Sequence, residues 1–149
     1  MTKAAICRAV GQPLSIEDVD VESPKPGEVL LRMGASGVCH SDLSVQNGTM
    51  LAGYPIVLGH EGAGVVEEVG PDVEGLAPGD HVVVSWVPQC GTCYCCERGQ
   101  GHLCEVGAGA MVGGGQLDGT SRVSAGGEPI RQMASTGTFA ERVVIPSIG

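Results

Sequence analysis

The first half of the chain reads as short apolar runs and one stretch of apolar–polar alternation, cut into strand lengths by glycine and proline. Residues 3–10 form an apolar run ended by Gly11-Gln12-Pro13, and Leu14, Ile16 and Val19 mark a second short segment. Beyond the turn signal Pro24-Lys25-Pro26-Gly27, the residues Val29, Leu31, Met33 and Ala35 alternate with Glu28, Leu30, Arg32 and Gly34. That pattern predicts a strand with one face buried. Residues 62–69 predict another strand, closed by Gly70-Pro71-Asp72, and residues 139–146 predict a last one. Pro78-Gly79-Asp80 launches His81-Val82-Val83-Val84, a run apolar enough to be covered on both faces. Residues 41–47 predict a short helix, capped by Ser41 or Asp42 and stopped at Asn47-Gly48. Residues 105–136 are rich in Gly, Ser and Thr without periodicity, which predicts a long, loop-dominated excursion. The expected fold is mainly β with short helices, arranged as a barrel or sandwich.

Composition narrows this picture. At 149 residues the chain is one domain by length. Aromatic residues are only 3% of it, so aliphatic side chains must fill the core. A net charge of −9 argues against a nucleic-acid partner, which needs a basic face for phosphates, and against an anionic membrane surface. No apolar run approaches the roughly 18 residues of a membrane span, and Arg8 breaks the first apolar segment before it could serve as a signal peptide. Seven cysteines, an odd number and clustered, read as metal ligands in a reducing cytoplasm.

The cluster is Cys90, Cys93, Cys96 and Cys104, spaced C-x2-C-x2-C-x7-C within a lobe at residues 88–104. Four thiolates at this spacing can close a tetrahedral cage around Zn2+, a structural site with no open position. Cys95 competes with Cys96 for one place, and His102 with Cys104 for another; the even spacing favours Cys96. A nucleic-acid zinc ribbon is the rival reading, and the single nearby cation, Arg98, weighs against it. A second constellation lies upstream, Cys39-His40-Ser41-Asp42 followed by Gly59-His60-Glu61-Gly62. Each motif alone is weak: a lone cysteine is usually a small hydrophobe and a lone histidine a structural one. Together they offer a thiolate at the start of a predicted helix and an imidazole, two of the three protein ligands that a catalytic zinc takes.

On these motifs, with Gly62-Ala63-Gly64-Val65-Val66 and Pro78-Gly79-Asp80-His81-Val82, the chain resembles the N-terminal, GroES-like catalytic domain of zinc-dependent medium-chain alcohol dehydrogenases. The resemblance extends over essentially all 149 residues. Leu117-Asp118-Gly119-Thr120-Ser121-Arg122 and Thr138-Phe139-Ala140 resemble the classical branch, which includes the formaldehyde dehydrogenases. It implies a partly open β-barrel bearing the zinc lobe. It also implies a catalytic zinc held by Cys39 and His60, with Glu61 in or near its inner sphere. By the same resemblance, Asp42 orients the zinc-bound imidazole, Ser41 bonds the substrate hydroxyl and passes its proton outward, and His40 contacts the dinucleotide pyrophosphate. Ser41 and Asp42 keep their simpler reading as helix caps. Ser44 stands where part of the family ends its proton relay in a histidine. Trp86 falls where the family places a pocket wall, and equally reads as a core aromatic.

The implied activity is reversible oxidation of an alcohol to an aldehyde or ketone, with hydride passing to NAD or NADP. The partner is then a small-molecule alcohol or aldehyde, with no nucleic acid and no membrane, and a homo-oligomer is possible. No dinucleotide fingerprint is legible, since Gly107, Gly109 and Gly113 have the wrong spacing. The resemblance places the dinucleotide domain, and a third cysteine ligand of the catalytic zinc, beyond Gly149. The 149 residues alone are therefore expected not to oxidise alcohols. The competing reading is a non-catalytic, zinc-stabilised GroES-like binding module.

Overall fold

The computed structural model describes residues 2–149, with every side chain among them except those of Met111 and Val112. The described strands are β1 (Thr2–Cys7), β2 (Ser15–Val21), β3 (Glu28–Ser36), β4 (Ile56–Val57), β5 (Gly62–Val69), β6 (His81–Val83), β7 (Val123–Ala125), β8 (Glu128–Gln132) and β9 (Arg142–Pro146). Two α-helices, α1 (His40–Gln46) and α2 (Glu105–Gly113), lie between them. Strands β1, β2, β7, β8 and β4 pair in a ring, antiparallel except for the parallel contact of β4 with β8. The other four form a sheet in the order β6-β5-β3-β9. The two are stitched by Ala5 N–H donating to Phe139 O at 2.8 Å and Glu141 N–H donating to Lys3 O at 2.9 Å. Ile6, Leu31, Val57, Val66, Ile130 and Val143 meet between them in an aliphatic core, as the scarcity of aromatics requires.

The mainly-β expectation holds, and three local expectations do not. First, β6 is an edge strand; His81 and Val83 are exposed and Val84 alone turns fully inward. The run is apolar without being covered, because only β5 pairs with it. Second, residues 105–136 are not loop-dominated. They hold α2, the β7–β8 hairpin and a 3₁₀ turn at Met133–Ser135. Third, α1 begins one residue earlier than expected, and its N-cap is Cys39 rather than Ser41 or Asp42. Asp42 sits three residues in, where its carboxylate accepts from the Cys39 N–H at 2.9 Å.

The chain ends of three elements converge to make the site. Strand β3 pairs with β5 down to Ser36 opposite Gly62, with register irregularities between Leu30 and Leu31 and between Met33 and Ala35. Just beyond, β3 hands over to the Cys39 cap of α1, while β4 leads through Leu58-Gly59 to His60 and Glu61 at the foot of β5.

A buried ion pair ties the excursion to the sheet. Arg122, 1% exposed, donates to both carboxylate oxygens of Glu28 at 2.8 and 2.6 Å, and to Asp118 at 2.7 Å. Desolvation works against the charged form of Asp118, but Arg122 and Thr120 overcome it and hold that carboxyl below its usual range. Breaking a buried pair leaves one charge uncompensated, which costs about 3–5 kcal/mol. Arg122→Met and Glu28→Gln are each expected to lower urea-unfolding stability by about that amount, and a loss under about 1 kcal/mol would place the pair among weak surface contacts. At the surface, the Arg8 guanidinium and then the Ser15 hydroxyl bring the Glu17 carboxyl down from 4.5 to about 2. A depressed folded-state value means that this stabilisation is complete above pH 4.5 and is lost as pH falls through about 2. Arg8→Ala is expected to flatten that part of the stability-versus-pH curve, and the gain it removes is small because the pair is partly exposed.

Candidate functional site

Two groups of donor side chains stand out. In the first, one sulfur each from Cys90, Cys93, Cys96 and Cys104 lies within 4.8 Å of every other. A tetrahedral Zn2+ with bonds of 2.3 Å needs sulfur separations of about 3.8 Å, and the Cys93–Cys104 pair already stands at 4.0 Å. The lobe reaches this shape through two 3₁₀ turns, Cys96–Arg98 and Gly101–Leu103, separated by Gly99 in the left-handed region at φ +71°. Cys104 is buried and caps α2; its sulfur accepts from the N–H groups of Cys90 and Gly107, both at 3.4 Å. Cys95 and His102 are outside the set, and His102 is exposed. The four thiols do not share protons equally. The Thr92 backbone and then its hydroxyl bring Cys90 down to about 6, while desolvation pushes Cys96 up to about 12. A cation entering the cage displaces the remaining protons, so occupancy weakens as pH falls.

The second group is Cys39 Sγ, a ring nitrogen of His60 and a carboxylate oxygen of Glu61, again within 4.8 Å of one another. His60 is 8% exposed, and its Nδ1 has no hydrogen-bond partner. That nitrogen faces the buried Asp42 carboxylate at 3.5 Å. Asp42 Oδ1 accepts from Gly59 N–H at 2.8 Å, and its other oxygen takes the Cys39 N–H. One carboxylate therefore fixes both segments that carry the donors. The His60 loop is held from its other side as well: Gly59 O accepts from Thr138 N–H at 3.0 Å and Thr136 Oγ1 at 3.1 Å, and Glu61 O accepts from Gly37 N–H at 2.7 Å. A Cβ at Gly37 would meet Glu61 Oε2 at 2.5 Å, so glycine there gives the carboxylate its place. Thiolate, imidazole and carboxylate are the donor types of an open zinc site, and a buried imidazole nitrogen aimed at a carboxylate is the usual support for a metal-bound ring.

Beside this group lies a cavity of about 400 Å3 lined by Ser41, His60, Val45, Ile56, Met50, Leu51, Trp86 and Met133 among others. Trp86 is a wall and not a core residue, being 48% exposed and edge-on to His60 with ring centroids 6.3 Å apart. Ser41 Oγ is 3.6 Å from Cys39 Sγ. His40 is exposed, its Nδ1 bonded to Ser44 Oγ at 3.3 Å. Pattern did not mark Met50 and Leu51, which lie between elements, Met133, which opens the 3₁₀ turn, or the clamp formed by Thr136 and Thr138. Their only signal is an apolar or β-branched residue where turns would otherwise be polar.

The family model for the alcohol dehydrogenase GroES-like domain matches residues 25–148. The NDMA-dependent alcohol dehydrogenase of Amycolatopsis methanolica is 46% identical over 144 residues, covering 97% of this chain and 38% of that protein. An S-(hydroxymethyl)glutathione dehydrogenase of Escherichia coli O1:K1 / APEC is 41% identical over 148 residues, 99% of this chain and 40% of that protein. Among solved structures, an alcohol dehydrogenase zinc-binding domain protein from Burkholderia ambifaria superposes with a TM-score of 0.92 at 41% identity, over 98% of this chain and 40% of that one. Benzyl alcohol dehydrogenase from Acinetobacter calcoaceticus gives 0.88 at 30% identity, over 97% and 39%. The chain spans about 40% of the length of the proteins it matches.

A cage of four thiolates contributes on the order of 10 kcal/mol to the order of a small lobe when zinc binds. Cys104→Ala is expected to abolish zinc retention by the lobe and open residues 90–104 to proteolysis, while Cys95→Ser and His102→Ala retain the metal. Metal analysis and limited digestion of the four proteins check this.

Proposed function

This chain belongs to the alcohol dehydrogenase GroES-like domain family, and from that premise we propose that it is the zinc- and substrate-binding domain of a zinc-dependent dehydrogenase that interconverts an alcohol with an aldehyde or ketone, using NAD or NADP. The observation that carries this reading is the convergence of Cys39, His60 and Glu61, with His60 also lining an apolar cavity that Ser41 shares. On this reading residues 1–149 form one GroES-like domain with the structural lobe at 88–104, and the nicotinamide cofactor is carried by sequence outside it. A purely structural module has use for the thiolate cage and none for a second, open donor set, which disfavours the non-catalytic alternative. Seven free thiols suit a reducing compartment, and we place the protein in the cytoplasm.

Cys90, Cys93, Cys96 and Cys104 would hold the structural zinc; Cys39, His60 and Glu61 would hold the catalytic one. When bound there, zinc supplies Lewis-acid polarisation of the substrate oxygen. The chain's own residues do the rest. Asp42 Oδ1 faces His60 Nδ1 at 3.5 Å and so orients the ring. Cys39 is held by its own N–H on Asp42, so its sulfur cannot swing with the chain. Ser41 has its hydroxyl at the cavity, placed to accept the proton of the substrate hydroxyl and pass it outward. His40 and Ser44 lie on the solvent side of α1, where an exposed imidazole can contact a cofactor phosphate. Met50, Leu51, Ile56, Trp86 and Met133 exclude water from the remainder of the substrate.

Zinc titration of the 149-residue chain followed by metal analysis is expected to show a tight site and a weaker one. Cys39→Ala and His60→Ala should remove only the weaker site, and Asp42→Ala should weaken it by about 10–100-fold. A chain that binds a single zinc, unaltered by all three substitutions, would refute the assignment of Cys39, His60 and Glu61 as a metal site in these 149 residues. The chain alone is expected to give no NAD(P)-dependent alcohol oxidation.

A further inference from the structure

A buried threonine, Thr138, stands against the segment that carries His60 and Glu61. It is 2% exposed and lies in the run that leads into β9. Its side chain meets both glycines that flank the two donors. A Cβ at Gly59 would lie 2.5 Å from Thr138 Oγ1, and one at Gly62 would lie 2.8 Å from Thr138 Cγ2. The hydroxyl and the methyl of one threonine thus seat opposite ends of the turn that supplies two of the three donors. The hydroxyl then reaches Ser36, the last residue of β3, with Oγ1 and Oγ 2.7 Å apart. Ser36 Oγ donates to Glu61 O at 3.2 Å, sharing its proton with Gly37 O at 3.3 Å. The Glu61 carbonyl also accepts from Gly37 N–H at 2.7 Å. Thr138 Oγ1 has no other hydrogen bond among the described residues, and a buried hydroxyl is costly unless its proton is placed. Thr138 therefore donates to Ser36, which leaves the Ser36 proton for Glu61.

We propose that Thr138 and Ser36 are positioning residues for Glu61: their linked hydroxyls fix its carbonyl, and through it they keep the carboxylate among the metal donors with Cys39 and His60. Glu61 needs such a hold more than its two neighbours do. Asp42 secures the Cys39 N–H and faces the His60 ring, whereas the Glu61 side chain is exposed and makes no hydrogen bond or ion pair among the described residues. Its carboxylate rests over Gly37, where a Cβ would come within 2.5 Å of Oε2. The Ser36-Gly37 corner therefore grips the Glu61 backbone and leaves room for its side chain. An exposed glutamate samples many rotamers, and that freedom is lost when the carboxylate joins a metal. A backbone already held in the binding position lowers the loss. This role rests on Cys39, His60 and Glu61 being a metal site.

The test uses Co2+ as the probe, added to the 149-residue chain after its four-cysteine cage has been filled with Zn2+. Thiolate-to-cobalt absorption that disappears in Cys39→Ala reports the open site alone. Thr138→Val keeps the size of the side chain and removes the hydroxyl. Ser36→Ala breaks the same link from the half-buried end of β3, and reads it even if Thr138→Val fails to fold. Each is expected to weaken Co2+ binding by about tenfold, the lower end of what is lost with a group that supports a metal ligand. Thr138→Ser, which keeps the hydroxyl, is expected to retain most of the affinity. In a Glu61→Gln background both losses are expected to vanish, because the hydroxyls then have no carboxylate to place. Co2+ affinity unchanged in Thr138→Val and Ser36→Ala overturns the proposal. An equal loss with and without the Glu61 carboxylate also overturns it, since the hydroxyls then act on the loop as a whole. Failure of the metal reading looks different: the unsubstituted chain shows no Cys39-dependent absorption, and the positioning role falls with it.

Discussion

The candidate site depends on one buried carboxylate. Asp42 is 3% exposed, and such a group is stable as an anion only where donors surround it. It has two N–H groups on its oxygens, one from Cys39 and one from Gly59, and a histidine ring facing it. These come from parts of the chain about twenty residues apart, joined by a helix and an irregular segment that would otherwise be free to move independently. The carboxylate closes that loop at its two ends. From the third helical position it bonds the N–H of the Cys39 cap, and it also holds the N–H of the glycine before His60. One carboxylate thus steadies the start of α1 and faces the His60 ring.

What surrounds Asp42 follows from the need to bring backbone close. Gly59 has φ of +89°, and a Cβ there would lie 2.5 Å from Thr138 Oγ1 and 2.8 Å from Phe139 N. No other residue type could take that conformation and still let the residues before β9 pass so near. The same approach lets Thr136 and Thr138 bond the Gly59 carbonyl. The His60 loop is thereby pinned by α1 on one side and by the run into β9 on the other, and its geometry is set before any metal arrives.

The parts that were legible in the sequence are those governed by local pattern. Period-two alternation located β3, short apolar runs between turn signals located β2 and β5, and the cysteine spacing located a lobe whose four sulfurs do converge. The parts that were not legible are governed by distant contacts. Helix α2 reads Glu-Val-Gly-Ala-Gly-Ala-Met-Val-Gly, and its interior glycines each cost about 1 kcal/mol relative to alanine. It forms because Cys104 caps it and because Ser135 and its neighbours pack on it, neither of which is a property of residues 105–113. Strand β6 failed in the opposite sense. Its valines have strand propensity, but propensity does not report how many strands pair alongside. The cavity walls at Met50, Leu51 and Met133 were invisible because they come from turns, where pattern carries no register.

The excursion at residues 105–136 links the structural lobe to the cavity. Its return delivers Met133 and Ala134 to the wall, and Ala134 sits in the left-handed region at φ +51°, a conformation that alanine takes only when its surroundings impose it. Those surroundings are polar and buried. Gln116 Nε2 donates to Ser135 O at 3.2 Å and to Val144 O at 2.9 Å; Gln132 Nε2 donates to Thr136 O at 3.1 Å; Ser135 Oγ donates to Gly115 O at 2.5 Å. Arg122 then fastens the same segment to Glu28 at the start of β3. A buried amide or guanidinium is costly wherever it is not fully bonded, so this network has few alternative arrangements. The cavity wall therefore inherits its shape from hydrogen bonds that touch neither metal nor substrate. The lobe feeds into it directly, because Cys104 closes the thiolate cage and begins α2. Order in the four-cysteine lobe is transmitted, through α2 and the Gln116–Ser135 contact, to the cavity wall at Met133 and Ala134.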